Sequence, residues 1–79
     1  MPAIPCAALP ADLTVLGLTA HAFHAAFGLQ KSNGELKKQF ITSGSVQLNG
    51  AKLTDHAAAV TVTTGDILKL SKKHAVRFV

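Results

Sequence analysis

Acidic side chains are scarce in this chain: four Asp and Glu stand against eight Lys and Arg in 79 residues, for a net charge of +4. So few carboxylates leave little material for paired-acid catalysis. The surplus of cations favours polyanionic partners, nucleic acid first and acidic membrane surfaces second. Trp and Tyr are absent and Phe occurs four times. Phe23, Phe27 and Phe40 sit in helical patterns and read as core, so no aromatic platform for stacking single-stranded bases is expected. The single cysteine, Cys6, excludes an internal disulfide and suits a reducing compartment. All three prolines, Pro2, Pro5 and Pro10, fall at the start. That stretch lacks the basic opening of a secretory signal and the arginines of a mitochondrial transit peptide. Leu13 to Gln30 carries no Asp, Glu, Lys or Arg, yet its threonines, histidines and glycines make it a poor membrane span. The composition reads as soluble and intracellular.

What is present fits one small domain, which buries only about 60% of its unfolded surface. At 48% hydrophobic it has enough material for a single core. Residues 1–17 read as an N-terminal linker or arm, with Pro10 opening a short helix through Leu16 that Gly17 closes. Thr19 is placed as the N-cap of a helix from Ala20 to Phe27, ended by Gly28, with Ala20, Phe23 and Phe27 as its apolar stripe. Ser32 and Glu35 have capping-box spacing and open a second helix over 33–43 that buries Leu36 and Phe40 and stops at Gly44.

Beyond Gly44 the period changes from helical to alternating. Ser45 to Leu48 and Ala51 to Thr54 alternate about Asn49-Gly50, a strong type I′ turn signal. Thr61 to Thr63 reads as a strand, Gly65-Asp66 as a turn, and 67–70 with 75–79 as a last hairpin across Ser71 to His74. Helices first and strands after predict an α+β fold: two short packed helices followed by a small, mostly antiparallel sheet of hairpins.

The inventory for catalysis is thin. No nucleophile elbow, phosphate loop or carboxylate pair is present, and Asp55 and Asp66 lie beside turn signals and read as turn residues. His21 and His24 are three apart on a helix, but no recognised metal-ligand spacing accompanies them. No catalytic residue, metal ligand or cofactor site is assigned.

The lysines carry the candidate site. Lys31, Lys37 and Lys38 cluster at the second helix, while Lys69, Lys72, Lys73 and Arg77 cluster on the last hairpin. A capped helix start with nearby lysines suits phosphate. Such clusters give salt-sensitive contact to a nucleic-acid backbone and not base readout. The expected RNA-binding residues are Lys31, Ser32, Asn33, Lys37, Lys38, Lys72, Lys73 and Arg77, with Lys52 contributing less.

Gly28 to Glu35, Ile41 to Gly50, Lys52 to Asp55 and the closing Gly65 to Val79 together resemble the ribosomal-protein S-four type of RNA-binding domain over residues 18–79. The most similar branch is the C-terminal domain of bacterial-type or organellar tyrosyl-tRNA synthetases. Where that family carries Glu-Ala-Arg-Arg, this chain has Glu35-Leu36-Lys37-Lys38, and its interval from Glu35 to Gly44 is one residue longer. Aligned from the helix start, Lys37 and Lys38 replace the two arginines; aligned from Ile41, Lys38 and Gln39 do. The resemblance implies a module that binds the tRNA for tyrosine at its anticodon stem and long variable arm. It also implies a partnering N-terminal catalytic domain, absent here, that handles ATP and tyrosine. Ligase activity would then belong to the larger enzyme and not to this chain. The location implied is the cytoplasm, or alternatively the mitochondrial matrix. The alternatives are the same fold for another RNA, as in ribosomal RNA binding, pseudouridine synthases or a heat-shock protein, and a protein-interaction domain that binds no RNA.

Overall fold

The computed structural model describes residues 1–9 and 13–79. In order, the elements are β1 (Ala3–Ile4), a 3₁₀ turn (Cys6–Ala8), α1 (Val15–Phe27), α2 (Asn33–Glu35) and a π-helical segment (Leu36–Ile41). There follow β2 (Gln47–Leu48), β3 (Ala51–Lys52), β4 (Ile67–Lys69) and β5 (Ala75–Phe78). The chain is α+β, as its pattern predicts. The strands among the described residues form one five-stranded sheet in the order β1-β5-β4-β2-β3, antiparallel except for β1 beside β5.

Helix α1 begins earlier than the sequence pattern predicts. Its N-cap is Thr14, whose hydroxyl accepts from Gly17 N–H at 3.1 Å. Thr19 lies one turn inside, fully buried, and donates to the Val15 carbonyl at 2.8 Å. Gly17 therefore does not close a helix, and the Pro10 start falls outside the described residues. The reason is burial: Val15, Leu18, Thr19, Ala22 and Phe23 form a stripe at i, i+3, i+4, i+7, i+8 that outweighs one helical glycine. Ala20 and Phe27 only border the core. The N–H groups of Val15 and Leu16 donate to the Ala58 and His56 carbonyls, so the loop before residue 60 seals this helix end. Thr61 to Thr63, which read as a strand in sequence, lie outside the sheet, and the Thr63 N–H donates to the Asp66 carboxylate instead of to a neighbouring strand. Gly28 terminates α1 as predicted, in the left-handed region at φ 67°.

The second helix departs from α geometry. Past Glu35 it widens into π turns, so Leu36 and Ile41, five apart, share the buried face, while Phe40 is only half buried. Thr42 N–H correspondingly donates to the Lys37 carbonyl.

Asn49 and Gly50 both take positive φ, 52° and 87°, as a type I′ turn requires. The N-terminal segment, which reads as a linker in sequence, supplies β1: Ala3 pairs with Arg77 and Ile4 with Phe78. Arg77 N–H donates to the Pro2 carbonyl, Val79 N–H to Ile4 and Cys6 N–H to Val79. On the sheet's inner face Leu68, Leu70, Val76 and Phe78 join Ile4, Leu18, Phe23, Leu36, Ile41 and Val46 in one core. Lys69 and Arg77 alternate outward.

Candidate nucleic-acid interface

The start of the second helix and the turn of the last hairpin meet over one aromatic cluster. Phe23 contacts Phe40 edge-on, ring centroids 5.0 Å apart, and the His74 ring lies 4.6 Å from Phe27 and 5.8 Å from Phe23. Lys31 covers the cluster, its Nζ 5.5 Å from the Phe40 ring and 5.7 Å from the Phe23 ring. It also pairs with the Glu35 carboxylate at 3.8 Å. Half of the expected capping box forms: the Ser32 hydroxyl accepts from Glu35 N–H at 3.2 Å, while the Glu35 side chain turns to Lys31. Asn33 is the first residue of α2 and is exposed. Lys38 is exposed and Lys37 half buried.

The last hairpin presents Lys72 and Lys73 to solvent from its turn, where the Ser71 hydroxyl and His74 Nδ1 lie 2.9 Å apart. Lys72 belongs to a second feature that the sequence reading does not assemble. A cleft of about 250 Å³ is lined by Ser43, Gly44, Ser45, Gln47, Lys52, Lys69, Ser71 and Lys72. Register builds it: Gln47 pairs with Lys52 on one side and Lys69 on the other, so the three side chains form a row across β3, β2 and β4. The first pairing is legible, since Asn49-Gly50 sets Gln47 opposite Lys52; the second requires knowing that β2 lies beside β4. Lys37, Lys38, Lys73 and Arg77 do not line this cleft.

Among the described residues no carboxylate lines the cleft either. Asp66 is occupied elsewhere, accepting from the Asn49 amide at 3.0 Å and from Thr63 N–H at 2.9 Å. The Asn49 bond first, and the Thr63 bond after it, hold its carboxyl below the usual range. The side-chain Oδ1 of Asn49 in turn accepts from Ile67 N–H, which ties the β2–β3 turn to the start of β4. Asp55 accepts from Ala57 N–H, a turn contact like those of Asp66. Among the described residues no three His, Cys, Asp or Glu side chains gather to hold a metal. No helix among them is long and apolar enough to cross a membrane.

Compared with known proteins, the chain matches no family model and no curated protein.

Proposed function

We propose that this chain binds structured RNA through backbone phosphates, without catalysis of its own. The observation that carries this reading is the gathering of cations around the last hairpin. Lys72 and Lys73 stand exposed on its turn, Lys69 and Lys52 share the adjoining cleft, and none of the described acids lines that cleft. The aromatic rings point to shape recognition over base stacking. Phe23 is buried, and Phe27 and Phe40 are half buried against His74 and Lys31.

The finer reading is a tRNA-binding module resembling the S-four-like domain of tyrosyl-tRNA synthetases, directed to the tRNA for tyrosine. The π segment supports it. A wider turn absorbs one residue, so the interval from Glu35 to Gly44 can be one longer than in that family while Gly44 keeps its place at the helix end. The ligase reaction, with ATP and tyrosine, and a cytoplasmic or mitochondrial setting belong to the same proposal.

The test is a binding titration with a transcript of the tyrosine tRNA and with a tRNA of short variable arm, over a range of salt. The expected result is tighter binding of the first by at least about tenfold. Log affinity should fall by about 0.7–0.9 per phosphate contact for each tenfold rise in salt. Equal affinity for both would leave RNA binding standing and remove the choice of tRNA. No complex with either at about 0.15 M salt, where a Debye length is about 8 Å, would defeat the whole reading.

A further inference from the structure

We propose that the cleft beside Lys52, Lys69 and Lys72 is a preformed seat for a phosphate of a polynucleotide backbone. We further propose that the polynucleotide runs from this seat across the outer face of the sheet toward Arg77. The identity of the occupant rests on the RNA reading above; the seat itself rests on geometry.

Lys52 and Lys69 are cross-strand neighbours of the same Gln47, so their Cα atoms stand two strand spacings apart, about 10 Å, on one face. Two lysine stems reach the space above Gln47 from that distance, and Lys72 closes it from the hairpin turn. The Lys52 stem lies against Gly44, where an added Cβ would sit 3.5 Å from its Cδ. Gly44 holds the left-handed φ of 81° that turns the chain from the second helix past this stem.

Three lysines line one cleft with no carboxylate among its described lining residues, so their like charges disfavour one another until an anion enters. Hydroxyl groups stand ready at its wall. The Ser43 hydroxyl donates to the Gln39 carbonyl at 2.7 Å and lies 3.0 Å from the Ser45 hydroxyl. With the Ser43 hydroxyl donating to Gln39, the Ser45 hydroxyl can donate to Ser43 or turn toward an anion instead. The volume, about 250 Å³, lies below the roughly 300–1,000 Å³ of pockets for drug-sized ligands and suits a small polyatomic anion.

A polymer fits better than a free anion because the positive charge does not stop at the cleft. Lys69 pairs with Ala75, and Arg77 lies two residues further along β5 on the same exposed face, a diagonal neighbour at about 7–8 Å. Lys52, Lys69 and Arg77 thus form a line that reaches from β3 across the sheet to β5. A line of cations matches a chain of phosphates.

The experiment has two arms, both on the full chain labelled with ¹⁵N. In the first, inorganic phosphate is titrated against sodium chloride of matched ionic strength. Saturable shifts are expected at the Ser43, Gly44, Ser45 and Ser71 amides, and Lys52→Gln with Lys69→Gln should abolish them. Shifts that merely track ionic strength would overturn the seat. In the second arm, RNA binding is measured for that double variant and for Lys37→Gln with Lys38→Gln. The cleft pair should lower the salt slope by about one unit, for the one phosphate contact removed. Unchanged affinity and slope in the cleft pair, with wild type still binding RNA, would overturn the seat and leave the RNA reading intact. Saturable phosphate binding with no RNA complex would overturn the polynucleotide as occupant, and with it the RNA reading. Exposed substitutions of this kind usually change stability by less than about 0.5 kcal/mol, and the amide spectrum confirms the fold.

Discussion

The helical side and the outer sheet face carry similar lysines and use them differently. On the helical side Lys31 is engaged twice, by the Glu35 carboxylate and by the faces of two phenylalanines. Across the sheet Lys52 and Lys69 share a row with an amide between them and none of the described acids beside them. The first arrangement consumes charge in holding the molecule together, and the second leaves it unmatched by any of the described acids. A count of cations along the chain cannot separate these cases, because what matters is which acids and rings the fold brings to each one.

The comparison breaks most visibly in the core under the helical side. Phe23→Ala should cost about 3–5 kcal/mol, a large part of the roughly 5–15 kcal/mol that holds a typical domain, and the variant should be close to unfolding. Phe40→Ala, at the half-exposed end of the same ring contact, should cost clearly less. Denaturant melts decide this, and equal losses would mean that the cluster is core throughout.

A smaller effect sharpens the contrast between the two kinds of lysine. Lys31→Gln should lower stability by about 0.5–1 kcal/mol, because its ammonium no longer sits over the rings, and should hardly alter the salt slope of RNA binding. Lys72→Gln should do the reverse. If Lys31→Gln changes the slope as much as Lys72→Gln does, the helical side is part of the interface.

The smallest effect lies in acid and concerns what fastens the sheet face. Asp66 has a folded pKa below its unfolded one, so its contribution is complete above the unfolded value and is lost as pH falls through the folded value. Thermal melts of wild type and Asp66→Asn should therefore differ by a constant amount near neutrality. That difference should shrink below about pH 4. A gap that persists unchanged into acid would show that hydrogen bonding, and not the charge of Asp66, fastens the turn.

Local signals in the chain suffice wherever a turn or cap dictates its own geometry. Asn49-Gly50, Gly28, the Ser32 cap and the Gly65-Asp66 turn all form where their residue types place them. Long-range choices are not legible in the same way. Thr14 and Thr19 are equally good caps in isolation, and only the burial of Val15 and Leu18 selects the first. The π turns are invisible to a 3.6-residue period, which is why the pattern puts Phe40 inside and the fold gives that place to Ile41. The row through Gln47 needs the pairing of β2 with β4, strands separated by a loop that has a separate task at the helix end. Lys69 and Lys72 fall together on the last hairpin in sequence, but Lys52 joins them in the cleft only through that pairing.

The parallel pairing of β1 with β5 has a mechanical consequence. Tension applied to the two ends of the chain draws β1 backward along its own axis and β5 forward along the same direction line. The bonds of Arg77 to Pro2, Val79 to Ile4 and Cys6 to Val79 then bear load together, in shear. Antiparallel end strands would open one bond at a time, like the hairpin at Asn49-Gly50 if pulled at its base. Forced unfolding is therefore expected to begin with a slide of one strand past the other, with residues 2–6 as the clasp.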